Sequence, residues 1–213
     1  MLQNAHLRIF GQGEVEVDMV VAYLADLVYA YNSVIVFESV VEGAQRASKD
    51  YPFPLHPITL PPVWRHLGLR RVMGYSRDWT VSPKELALLI PRSEELILAG
   101  VQLGSPGFWE FLGKLNPLEV IRQYLNDRHE QRKDREYRET AEKRRLRLEN
   151  LQRENEVIAG RIRIARELGA TDRDLAPFLN ELINRPLEAL DRHQDRGVIE
   201  RAELPNLPHK AGG

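Results

Sequence analysis

Residues 18–41 read DMVVAYLADLVYAYNSVIVFESVV, a stretch apolar enough to suit either a membrane span or the central helix of a folded domain. Val20, Val21, Leu24, Leu27, Val28, Tyr31, Val34, Ile35 and Val41 recur at spacings of three and four, so one face of a long helix carries them, and Asp18 is placed to cap it. Asp26 and Asn32 interrupt the stretch. A central acid costs about 2.5 to 3.5 kcal/mol on the insertion scale, and the Val, Ala and Tyr residues around it favour lipid only weakly. The expectation is therefore a buried core helix and no membrane span. A membrane-associated component using helix 19–41 is the weakest of three functional readings.

Working outward toward the amino terminus, Leu7-Arg8-Ile9-Phe10 has the bulky β-formers of a short strand. Gly11-Gln12-Gly13 punctuates it, and Glu14-Val15-Glu16-Val17 alternates as a second short strand would. The two glycines resemble a dinucleotide fingerprint only faintly, because Glu16 stands where the third glycine belongs and no βαβ unit follows. The first ten residues lack the cationic start and apolar run of a secretory signal, so cytoplasmic residence is the default expectation. With no cysteine there is no disulfide framework, thiolate nucleophile or cysteine metal site.

On the other side, five prolines between Tyr51 and Pro62 exclude a regular helix or central strand, which leaves a loop wrapping the domain. Ser82-Pro83-Lys84-Glu85 is a capping box opening a short helix through Leu89. Glu95 to Leu103 reads as a strand, Ser105-Pro106-Gly107-Phe108 as a turn, and Phe108 to Leu112 as the returning strand, with Trp109 and Phe111 on one face. Residues 1–116 thus form an α+β head: short strands, one long core helix and a β-hairpin.

The chain changes character at Pro117. Thirteen of its 16 aromatic residues precede it, whereas the rest is rich in Arg, Glu and Leu. Asn116-Pro117-Leu118-Glu119 suits a helix start, and no proline or glycine follows until Gly160. A helix to about Leu168 would span about 52 residues, roughly 78 Å. Its stretch from Asn126 to Arg145 is almost wholly polar, as an exposed helical spacer would be. Thr171-Asp172-Arg173-Asp174 then caps a returning helix whose inner face is Leu175, Phe178, Leu179, Leu182 and Ile183, bent or divided by Pro177 and Pro186. The expected organisation is a head at 1–116, a coiled-coil or helical-hairpin arm at 117–200 and a flexible tail at 201–213.

Two apolar stripes return from Leu146 onward. Leu148, Leu151, Asn155, Ile158, Ile162 and Ala165 form one with heptad spacing, and Leu146, Val157, Ile164 and Leu168 form another. A helix with two stripes needs two neighbours. The first stripe reads as a seam between two copies of the chain, with Asn155 paired to its symmetry mate, and the second as the seat of the returning helix. On that reading Asn155→Leu raises thermal stability and loosens the choice of oligomer.

Chemistry is hard to find. The histidines His6, His56, His66, His129, His193 and His209 show no metal-ligand spacing, and no phosphate loop or nucleophile elbow occurs. The repeated triplets Asp127-Arg128-His129 and Asp191-Arg192-His193 invite a composite acid/base site, but a helical hairpin turning near Ala170 would hold the two histidines some 27 Å apart. No enzyme and no cofactor are expected. With 30 basic residues against 31 acids, any attraction to nucleic acid must be local. Arg128 to Arg147 is the densest basic run, and Arg132, Arg135, Arg144 and Arg145 are its candidate phosphate contacts, though interleaved acids dilute it. The leading expectation is a non-enzymatic scaffold that self-associates as a homodimer or higher oligomer and presents its head to a protein partner. A nucleic-acid-binding oligomer is the alternative.

Overall fold

The computed structural model describes residues 4–11, 15–50, 82–102, 104, 107–133 and 140–205. In chain order these form β1 (Asn4–Gly11), α1 (Val17–Asp50), α2 (Pro83–Ala87), a 3-10 turn at Arg92–Glu94, β2 (Ile97–Gln102) and β3 (Gly107–Lys114). They continue as α3 (Leu115–Arg132), α4 (Ala141–Glu154), α5 (Glu156–Glu167), α6 (Asp172–Leu179), a π-helical turn at Asn180–Asn184, α7 (Arg185–Glu188), α8 (Asp191–Asp195) and β4 (Arg201–Glu203). The class is α+β.

Alternation along β1 sends Ala5, Leu7 and Ile9 to one face of a four-stranded antiparallel sheet ordered β2-β3-β1-β4. Their partners Gly113, Phe111 and Trp109 on β3 share that face. Helix α1 lies against it, with the Tyr23 ring 6.0 Å from Trp109 and 6.4 Å from Phe111, both edge-on. One turn pair further on, the Tyr31 hydroxyl donates to the Glu94 carbonyl at 3.0 Å and accepts from the Lys114 amide at 2.8 Å. Gly113 makes room for it, since a Cβ there would lie 2.8 Å from the Tyr31 oxygen. On the opposite face, Arg8 and His6 bond the Glu110 carboxylate, and the Arg8 bond holds that carboxyl below its ordinary range.

By length and hydropathy α1 could cross a membrane, but Tyr23, Leu27, Ala30, Tyr31, Val34 and Ile35 are buried within the chain's own core. Asp26 is accounted for as well: it accepts from Arg192 of α8. Two local expectations are met in detail. Ser82 and Glu85 form a reciprocal capping box on α2, and Thr171 and Asp174 form another on α6. The helix running past Pro177 widens into the π turn just before Pro186, whose missing N–H cannot close an ordinary helical bond.

Several expectations change. Val17 opens α1 instead of ending a strand, and Asp18 lies inside its first turn, accepting from the neighbouring Met19 amide. Helix α3 follows β3 directly from Leu115, so Asn116 is no cap; its amide donates to Glu38 on α1 at 2.8 Å. The single long helix to Leu168 is three helices among the described residues: α3 stops at Arg132, Thr140 caps α4, and Asn155 separates α4 from α5. The polar spacer is not wholly exposed either, because Arg128 is buried. Residues 201–203 are not tail but strand, since β4 pairs with β1 through Arg8, Ile9 and Phe10. The proline-rich stretch 51–62, the turn at Ser105-Pro106, the spacer residues 134–139 and the end of the tail at 206–213 lie outside the described residues.

The cut at Pro117 falls inside one contiguous apolar core. That core joins Leu7, Leu27 and Phe111 to Leu118, Ile121, Tyr124, Ile158, Leu182 and Ile199. Arg161 of α5 reaches α1, donating to Glu38 at 3.2 Å and to Glu42. The helices of the second half therefore cover the first half; they do not extend from it as an arm.

Candidate functional site

The most exposed apolar element of the sheet is β2, its edge strand. The register pairs Leu98 with Phe111 and Val101 with Trp109, so these two side chains point to the face that α1 covers elsewhere. They nevertheless stay open, at 46% and 45% exposure, and Ile97 on the other face is 53% exposed. Among the described residues, none covers either face of the strand and no strand pairs with its outer edge. The strand reads Ile97-Leu98-Ala99-Gly100-Val101-Gln102 and carries no charge and no proline. Its one irregularity is a bulge between Leu98 and Gly100.

The seam expected between two copies has a different use. Leu148, Leu151, Asn155, Ile158, Ile162 and Ala165 are all buried within the single chain. Asn155 has no need of a symmetry mate: its Oδ1 accepts from the amides of Val157 and Ile158, capping α5, and its Nδ2 donates to Gln123 of α3 at 2.8 Å. Heptad spacing arose here from two successive helices, each turned toward the same core. Of the second stripe, Leu146 is exposed, while Val157 and Ile164 line a small cleft beside Glu38 of α1.

The basic run also turns inward. Arg128 and Arg147, each 2% exposed, converge with Tyr124 on the Asp191 carboxylate. Tyr124 donates to Oδ1 at 2.7 Å, Arg128 Nε lies 3.2 Å from the same oxygen, and Arg147 Nη2 donates to Oδ2 at 3.1 Å. Burial, and then the Asp191 charge, push the Tyr124 hydroxyl well above its ordinary value, so it stays a donor. Of the candidate phosphate contacts, Arg144 lies 3.4 Å from Asp191, Arg132 donates to the Gln194 carbonyl, and Arg145 pairs with Glu142 and Glu149. Arg135 lies outside the described residues.

The repeated triplets do meet, but through other members than the histidines. Arg128 of the first binds Asp191 of the second, and it also donates to Asp195 at 2.9 Å. His193 turns instead to α1, with Nε2 2.6 Å from Asp26 and its ring edge-on to Tyr23 at 5.7 Å. His193 itself is buried, at 2% exposure. The cluster is a lock that joins α3, α4 and α8, and the Asp26 pair fastens α8 to α1. The signal in the sequence is an Asp-Arg pair on each of two helices, each able to bond the other; the shared histidine plays no part in the Arg128–Asp191 contact.

No protein-family model, curated protein or solved structure matches this chain.

Proposed function

We propose that this chain is a non-enzymatic interaction protein whose sheet is extended by a second copy through β2. The observation that carries the reading is the open, uncharged, apolar edge formed by Ile97, Leu98 and Val101. Unpaired strand edges recruit other strands, and proteins that need to stay separate blunt them with lysine, proline or a covering loop. β2 carries neither lysine nor proline, and its single bulge leaves Val101 and Gln102 in regular pairing with β3. A second copy brings an identical neutral strand, and antiparallel pairing about a twofold axis makes the contact self-complementary. Backbone hydrogen bonds would join the two sheets, and Leu98 and Val101 would cover each other across the axis.

The nucleic-acid reading has less support, because Arg132, Arg144 and Arg145 already have internal acceptors. Sedimentation velocity of the full chain at tens of micromolar tests the proposal. The wild type should run at twice the chain mass and the variant L98K/V101K at the chain mass, with the same helical circular dichroism. A monomeric wild type, or a dimer that survives both lysines, overturns it.

A further inference from the structure

We infer that the groove between α4–α5 and α6–α7 is a docking site for an acidic amphipathic helix of a partner protein. The groove has a volume of about 850 Å3 and is framed by helices on both walls. Leu148 and Ile162 on one side and Leu175 on the other lie largely buried at its base, and the half-buried Leu179, one helical turn from Leu175, borders them. Helix walls have already paired their backbone groups with each other, so an extended peptide would find no ladder to join. A helix brings its own backbone bonds and offers only side chains, at the i, i+3, i+4 and i+7 positions that suit such a floor.

Charge selects the sign of the occupant. Five arginines and three carboxylates line the groove. Arg145 is paired with Glu142 and Glu149, and Arg166 with Asp172. Arg153 and Arg163 differ: both are exposed, and among the described residues no carboxylate pairs with either. Arg153 makes only a 3.3 Å bond to the Asn150 amide oxygen. Two uncommitted guanidinium groups beside an apolar floor favour a helix with glutamate or aspartate flanking its leucine stripe. A nucleic-acid strand fits less well, because no aromatic side chain among the described residues lines the groove to stack a base. None of the lining residues belongs to β2, so this site is independent of the sheet edge.

The test uses the full chain and a fluorescein-labelled peptide with leucines at i, i+3, i+4 and i+7 and glutamates on the flanks. Its twin carries lysine at the flanking positions, and fluorescence anisotropy reads both. The glutamate peptide should bind at least tenfold more tightly than the lysine twin. R153E/R163E should reverse that preference, and A176W, at an exposed position in the groove, should abolish binding of both peptides. Circular dichroism confirms that each variant is folded. Equal binding of the twins, no binding of either, or a preference untouched by R153E/R163E overturns the inference. So does a dimer that A176W converts to monomer in the absence of peptide, because the occupant is then a second copy of this chain.

Discussion

Asp191 shows how one residue can hold a helical layer together. Its carboxylate accepts from Tyr124 and lies beside Arg128 and Arg147, whose guanidinium groups have left water. Removing one partner from a buried ion pair leaves a desolvated charge, at a cost of about 3 to 5 kcal/mol. Asp191→Ala should therefore lower the urea midpoint by an amount equivalent to that loss, and Asp191→Asn, which keeps the shape and an acceptor, should lose less. An Asp191→Ala variant within about 0.5 kcal/mol of wild type would show that the cluster is not a lock. Tyr31 is fully buried as well. Burial pushes its hydroxyl up to about 12. A phenol whose folded value exceeds its unfolded value contributes stability that is complete below about pH 10 and lost as the pH rises toward 12. Unfolding free energy should fall across that window, and the fall should be shallower in Tyr31→Phe; an equal slope in the two proteins would contradict the assignment.

At the scale of elements, the break at Asn155 decides the course of the second half. An asparagine between Leu148 and Ile162 satisfies a heptad pattern, yet it also has the best chemistry for starting a helix. In the folded chain the cap prevails, because Asn155 bonds two amides of α5 and Gln123 of α3 together. The effect of Asn155→Leu thus has the opposite sign from that of a coiled-coil seam. Loss of the cap costs about 1 kcal/mol, and the half-buried Gln123 amide oxygen loses its Asn155 donor as well. Thermal unfolding should show a lower midpoint, and a higher one would restore the seam. The short strand β4 makes a related point. Three residues are too few to show a period, and they form a strand because β1 offers them an edge and Asn126 bonds both the amide and the carbonyl of Ala202.

For the whole molecule, the composition change at Pro117 marks a change of layer and not a boundary between independent units. Leu118, Ile121, Tyr124 and Leu125 of α3 are fully buried, in the same core as α1 and the inner face of the sheet. A fragment of residues 1–116 would expose that face and lose β4 from the edge of β1. Its amide proton spectrum should be collapsed and poorly dispersed, whereas a dispersed spectrum would restore the head as a unit. The features legible in the residues alone are local: the long apolar helix, the β-formers of β1, the two strands of the hairpin and the capping boxes at Ser82 and Thr171. Each depends on periodicity or on side chains bonding backbone within a few residues, so a short window contains the whole cause. Tertiary structure alone decided which charges are buried, that Asn155 caps instead of pairing across a twofold axis, and that residues 201–203 complete the sheet. Those outcomes rest on contacts between residues tens of positions apart, such as Arg128 with Asp191 and Phe10 with Arg201. A buried arginine and a solvated one have the same sequence; only the arrival of a distant carboxylate makes burial the lower free energy.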